Sequence, residues 1–364
     1  MFQSVLHKVP FQIIGLALMC CLLSSCQLVN EKKEIYPSGA MTKTLEKQKG
    51  AHVFRLKDTT NLEFLHRNNI EWVTLVPWGF QDDFDSPDLG HHHGDSLEIL
   101  RRDSSWVQRL ERVHNAGLKV FLKPHVWLHS PSDGKWRSDI FPTTEQDWEL
   151  WKEKYREFIL RYARVAERGK VEMFCIGTEF TELTKEYPEF WRKLIEEVRT
   201  VYSGKLTYAA NWYKEYEQIA FWHDLDYIGV QAYFPLTKKQ NPSIEQLSKG
   251  WEEYTSTLQS LAEKHQRKIL FTEMGYKSTK DSAIEPWTWI EESNLDSTNV
   301  SMETQAHCYQ AFYSTIWPQK WFAGVHIWQY NTAYENGYRS LINQDFTPQG
   351  KPTEKIIAQG FAKQ

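Results

Sequence analysis

Two stretches of this chain end an apolar run on a single acidic residue. One is Val171-Glu-Met-Phe-Cys-Ile-Gly-Thr-Glu-Phe180 and the other is Lys268-Ile-Leu-Phe-Thr-Glu-Met-Gly-Tyr276. Side chains alternate between the faces of a strand, so Met173, Cys175, Gly177 and Glu179 are expected on one face of the first. Ile269, Phe271 and Glu273 are expected together on one face of the second. Where such a strand ends at the carboxyl rim of a barrel, the last inward residue meets an open, wet mouth. Two carboxyl groups at that rim can divide proton transfer and nucleophilic attack between them. A lone glutamate of this kind reads as a solvated loop residue or an arginine's partner, but two of matched form point to a catalytic pair.

Something must carry both to one mouth. The interval between them accommodates three βα units of roughly 30 residues each, which places them on strands four and seven of an eightfold barrel. Apolar runs recur eight times, at 51–56, 70–78, 118–128, 171–180, 206–212, 225–236, 268–276 and 322–330. Segments of helical period lie between them, such as Trp106, Val107, Leu110 and Val113, or Trp148, Trp151, Tyr155, Phe158, Ile159 and Tyr162. Pro188 stands where a further helix would start. Strands alternating with helices imply a parallel sheet, and eight of them imply closure, so the expected fold class is α/β, a single (β/α)8 TIM barrel. A doubly wound open sheet would need a glycine-rich phosphate loop after an early strand, and the sequence has neither GxGxxG nor GxxxxGK[ST].

The barrel reading predicts functional side chains at the ends of many strands. The expected inward rows are Trp72, Thr74, Val76 and Trp78; Phe121, Lys123, His125 and Trp127; Thr207, Ala209 and Asn211; Gly229, Gln231 and Tyr233; and Gly324, His326 and Trp328. Each row begins small or apolar and ends polar or aromatic. Sugars present C–H faces that pack on aromatic rings and hydroxyl rims that need hydrogen-bond partners. Of the 16 tryptophans, Trp78, Trp127, Trp212 and Trp328 are therefore expected to line a glycan-binding mouth with Lys123, His125, Asn211, Gln231 and Tyr233. Trp148, Trp151 and Trp317 belong to helices and read as core. Paired carboxyls at a sugar-binding mouth imply glycoside hydrolysis.

The order Thr178-Glu179, Gln231-Ala-Tyr233, Thr272-Glu273 and Trp328 resembles the clan of retaining glycosidases built on (β/α)8 barrels. Within it the chain is most similar to glycoside hydrolase family 113, the β-1,4-mannanases, from about residue 51 to 346. The resemblance implies Glu179 as acid/base, Glu273 as nucleophile, Tyr233 bonded to the nucleophile and Trp328 as the floor under the attacked sugar. One departure stands out. Many clan members carry asparagine before the acid/base, bonded to the sugar 2-hydroxyl, whereas this chain has Thr178; Asn211 is the nearest substitute in the sequence. Another β-glycan such as a glucan remains an alternative substrate, and a non-catalytic glycan-binding lipoprotein is the alternative class.

Before the first run lies an apolar segment at 10–26 behind Lys8, too short for a comfortable membrane span and suited to export. Its end, Leu23-Ser-Ser-Cys26, resembles a lipobox. The expectation is a signal peptide at 1–25, lipidation at Cys26, a polar tether over 26–50 and the barrel over 51–364. Gln27 favours the outer membrane, with the lipid as the sole membrane contact. Net charge of −4 and a sequence pI near 6.4 give no basic footprint for nucleic acid. Cys175 and Cys308 are expected to be unpaired. His91-His92-His93, among Asp82, Asp83, Asp85, Asp88 and Asp95, reads as a polar groove-shaping loop rather than a metal site, and 130–142 as another groove wall. No cofactor is expected, the partner is a poly- or oligosaccharide, and the expected state is a monomer.

Overall fold

The computed structural model describes residues 46–57, 61–90, 96–132, 134–289, 296–335 and 344–363. The export segment, Cys26 and most of the tether lie outside the described residues, as do His91, His92 and His93. Among the described residues no helix is long and apolar enough to cross a membrane.

Eight parallel strands close into a barrel. In chain order they are β1 (Gln48–Phe54), β2 (Trp72–Leu75), β5 (Lys119–Leu122), β7 (Met173–Thr178), β8 (Lys205–Asn211), β9 (Tyr227–Gln231), β10 (Ile269–Met274) and β11 (Phe322–Asn331). β1 pairs with β11 and with β2, which completes the ring. The first strand begins at Gln48 rather than 51, because Gln48 has inward partners: its amide accepts from His326 Nε2 at 2.9 Å.

Helices between the strands are, in chain order, α1 (Glu63–Arg67), α2 (Ser96–Asn115), α3 (Glu145–Arg168), α4 (Thr181–Glu186), α5 (Pro188–Val201), α6 (Ile244–His265) and α7 (Met302–Thr315). Their starts are written locally. Thr144 accepts from the Asp147 N–H before α3, Ser243 and Gln246 form a reciprocal cap before α6, and Pro188 opens α5. No α-helix separates β8 from β9, where a single 3-10 turn, Trp222–Asp224, takes its place. Trp148, Trp151 and Trp317 are buried in the layer between strands and helices.

Three sequence expectations change. The runs at 70–78 and 118–128 each break at a proline, Pro77 and Pro124, which cannot donate to a ladder. Beyond the break the chain leaves the barrel and forms β3 (Trp78–Gln81) and β6 (His125–Leu128), which pair with each other, β3 pairing on its other edge with β4 (Leu89–Gly90), in a separate three-stranded sheet. Second, the interior cluster of the barrel is Phe121, Met173, Cys175, Ala209, Leu270 and Ala323. Leu270, not Ile269 or Phe271, points inward on β10; Phe271 faces the helices and stacks on Trp251 at 5.8 Å. The ladder of β10 with β9 shifts register between Phe271 and Glu273, and this bulge returns Glu273 to the mouth. Third, β7 shifts against β8 between Cys175 and Thr178, so Gly177 faces outward. A β-carbon on Gly177 would lie 2.7 Å from the Tyr208 ring and 2.8 Å from Trp191, so the bulge needs glycine. Cys175 and Cys308 are free and buried.

Candidate active site

Glu273 sits in a nest of donors. Lys123, fully buried just past β5, directs its ammonium at Glu273 Oε1 (2.5 Å) and at Gln231 Oε1 (2.7 Å). The Tyr233 hydroxyl donates to the other carboxylate oxygen at 2.8 Å. Thr272 donates its hydroxyl to Gln231 Oε1 at 3.0 Å, while its carbonyl accepts from His52 Nε2, also at 3.0 Å. Burial alone would raise the Glu273 carboxyl. The charges of Lys123 and His52 and hydrogen bonds from Lys123 and Gln231 outweigh it and hold the group down at about 2. His52 is itself pushed down to about 3, by burial first and then by Lys123, which leaves Lys123, itself lowered by burial and raised by Glu273, as the cation bonded to the carboxylate.

Glu179 stands on a different kind of ledge. It follows β7 directly with φ of 56°, a left-handed conformation that costs a residue with a β-carbon about 1–2 kcal/mol. Its N–H donates to Ala209 O at 2.9 Å, and the next N–H, of Phe180, donates to the Tyr208 hydroxyl at 2.7 Å. That hydroxyl donates in turn to Glu215 Oε1 at 2.6 Å. Glu215, buried, also accepts from the Asn211 N–H at 2.6 Å and the Thr184 hydroxyl at 3.0 Å. The strained turn is thereby held from below. Burial raises the Glu179 carboxyl above its ordinary value and the Glu273 charge adds to this, while Arg137, Lys123 and the Trp136 indole oppose without cancelling it.

A cavity of about 820 Å³ opens over both carboxyls. Of the residues expected at the mouth, His125, Asn211, Trp212, Gln231, Tyr233 and Trp328 line it together with Glu179 and Glu273. Three do not. Lys123 lies beneath the floor, spent on Glu273 and Gln231. Trp78, carried off on β3, packs edge-on against His125 at 5.2 Å and lines a separate cavity of about 320 Å³ with Trp106 and Arg109. Trp127, on β6, does not line the cavity and packs edge-on against Trp136 at 5.4 Å and Trp78 at 5.8 Å. Both displacements follow from the proline breaks.

Other walls come from loops. The turn Arg137–Asp139 and the preceding Trp136 border one side, within the segment expected as a groove wall. On the other side Trp287 stacks on Trp212 at 5.0 Å, and Trp289 meets Trp328 edge-on at 5.8 Å. Trp287 and Trp289 went unread in the sequence, although two tryptophans spaced by one residue after the seventh strand were a usable signal. Arg137, His52 and Phe346 carried none. Thr178 does not line the cavity; its hydroxyl is buried against Pro124 O at 3.5 Å. Among the described residues no group of His, Cys, Asp or Glu could hold a metal ion.

Two carboxyl groups at one barrel mouth, one kept ionised and the other pushed toward its protonated form, below tryptophan walls, define a glycoside hydrolase. The family model for glycoside hydrolase family 113 matches residues 41–351, and the chain belongs to that family. Among solved structures, a family 113 β-1,4-mannanase superposes with a TM-score of 0.71 over 88% of this chain and 100% of its own, at 24% identity, a likeness of fold. The complex structure of a family 113 β-1,4-mannanase matches at 25% identity and TM-score 0.70, covering 88% of this chain and 100% of that one. The β-mannanase AaManA from Alicyclobacillus acidocaldarius, in complex with ManMIm, matches at 27% identity and TM-score 0.70, with 87% and 98% covered. A search of curated proteins returns no match.

Proposed function

We propose that this glycoside hydrolase cleaves β-1,4-linked mannan or manno-oligosaccharides with retention of configuration. The observation that carries the reading is the opposite electrostatic setting of the two glutamates. Glu273, ionised by Lys123 and oriented by Tyr233, attacks the anomeric carbon, while Glu179 protonates the departing oxygen. The resulting glycosyl ester neutralises Glu273. With that charge gone, Glu179 loses its proton more readily and serves as base for the water that releases the sugar. The choice of mannan rests on family membership and on the β-mannanases among the solved structures. The export segment and the lipobox-like Leu23-Ser-Ser-Cys26 support anchoring by lipid on Cys26, at the bacterial outer membrane.

The test is hydrolysis of a panel of β-mannans, β-glucans and xylans, with the anomer of the first product followed by NMR. Mannan cleavage releasing β-configured product is expected. Preference for a glucan would overturn the substrate, and an α-configured first product would overturn retention.

A further inference from the structure

Two buried nitrogens beside the catalytic carboxyls have no hydrogen-bond partner among the described residues: His125 Nε2, 3.6 Å from Glu273 Oε1, and Arg137 Nε, 3.7 Å from Glu179 Oε2. His125 is 2% exposed and Arg137 6%, and both side chains line the cavity. They are joined to each other, since Arg137 Nη1 lies 2.9 Å from His125 Nδ1. A guanidinium only donates, so Nδ1 must accept, and in a neutral imidazole the proton then resides on Nε2. Burial, followed by the Lys123, Arg137 and His52 charges, holds His125 well below its ordinary value and therefore neutral. Its Nε2 is 3.6 Å from Glu273 Oε1, too long for a hydrogen bond and short enough for one hydroxyl to touch both. Such a hydroxyl would accept from Nε2–H and donate its own proton to the carboxylate, matching the polarity on each side.

The nearest hydroxyl to an attacked anomeric carbon is the one on the adjoining carbon. Of the two sequence candidates for reading it, Thr178 is turned away against Pro124; Asn211 lines the cavity with its Oδ1 held by the Tyr213 N–H at 2.9 Å, whereas His125 Nε2 stands beside Glu273 Oε1. We infer that His125 donates its Nε2–H to the 2-hydroxyl of the sugar under attack, and that Arg137 is a positioning residue that sets the histidine tautomer. This rests on the reading of Glu273 as nucleophile. His125 thereby becomes a specificity determinant supplied by β6, a strand outside the barrel.

The experiment crosses substitution with hydroxyl deletion. An aryl β-1,4-mannobioside and its counterpart lacking the 2-hydroxyl on the aryl-bearing sugar are assayed with wild type, His125→Phe and Arg137→Met. In wild type, deletion of the hydroxyl is expected to cost about 10- to 100-fold in kcat/KM. His125→Phe should lose a similar factor on the parent and little on the 2-deoxy substrate. Equal losses on both substrates, or coupling to the 3-hydroxyl of a 3-deoxy analogue instead, overturn the assignment. Ring ¹⁵N shifts of the free enzyme provide a readout independent of turnover and of the mannan reading: His125 is expected protonated at Nε2 in wild type and mixed between tautomers in Arg137→Met. Protonation at Nδ1 in wild type, or an unchanged tautomer in Arg137→Met, overturns the positioning role. Should His125→Phe fail to fold, His125→Leu, which likewise lacks a donor, replaces it in the same cycle.

Discussion

Glu273 and Glu179 face one cavity, yet the chain builds around them in opposite ways. Around Glu273 the barrel supplies a counterion and polar partners from three strand ends: Lys123 after β5, Gln231 and Tyr233 at the end of β9, and the bulge at Thr272 on β10. Around Glu179 it supplies burial, a strained backbone and a second buried carboxyl, Glu215, two contacts away through Tyr208 and Phe180. The first environment stabilises charge and the second resists it. Equal residue types thus acquire unequal proton affinities from their surroundings alone.

The largest break of this asymmetry is Glu273→Ala. Turnover is expected to vanish on every substrate, because no glycosyl ester can form, and azide or formate in the vacated space should restore some activity with inverted product. Residual wild-type-like turnover without added anion would remove Glu273 from its role. Glu179→Ala should cost about 10²–10⁴-fold on mannan. On a dinitrophenyl glycoside, whose leaving group needs no proton, a burst of phenol followed by slow release is expected instead. If that burst belongs to Glu273→Ala and not to Glu179→Ala, the two roles are exchanged.

Lys123→Met tests the counterion. Without the ammonium, burial is left to dominate, and the acidic limb of kcat/KM should rise by about 1–3 pH units. A limb in the wild-type position would mean that Lys123 does not set the charge on Glu273.

The smallest effect is on stability. His52 is pushed down to about 3, and His125 and His326 well below their ordinary 6.5, so between these values the unfolded chain binds protons that the folded chain refuses. Their share of stability is complete above about 6.5 and declines as pH falls toward 3. Glu273 adds a share present above its ordinary 4.5 and lost as pH falls toward about 2. Glu215, pushed up to about 7 by burial, and Glu179 pull the other way, losing stability as pH rises through their folded values. With His265, pushed down to about 4 by burial, four histidines stand against two carboxyls and leave a net decline on acidification. Calorimetry should show Tm falling from pH 7 to pH 4; a flat or rising Tm would contradict the buried neutral state of the histidines.

The closed barrel, and the placing of Glu179 and Glu273 at one mouth, were legible in the sequence because apolar runs interrupted by helical periods, and ending on polar or aromatic residues, are local signals repeated eight times. Even so, Glu273 was reached through an alternation that does not hold. Ile269 and Phe271 face the helices, and a register shift brings the glutamate inside. A bulge leaves no mark in a period-two pattern, since it depends on the neighbouring strand's hydrogen bonds. Pro77 and Pro124 were visible, but where the chain went after them was not, and that diversion removed Trp78 and Trp127 from the mouth while leaving His125 within it. Arg137 lay within the segment expected as a groove wall but had no signature of its own, being one arginine in a polar loop until folding set its guanidinium beside His125 and Glu179. By itself, then, the sequence determined which residues could be acid and nucleophile, because residue type and strand-end position are properties of the chain. Only the tertiary structure decided which carboxyl is ionised and which ring nitrogen carries a proton, because proton affinity is set by charges and burial contributed from distant segments.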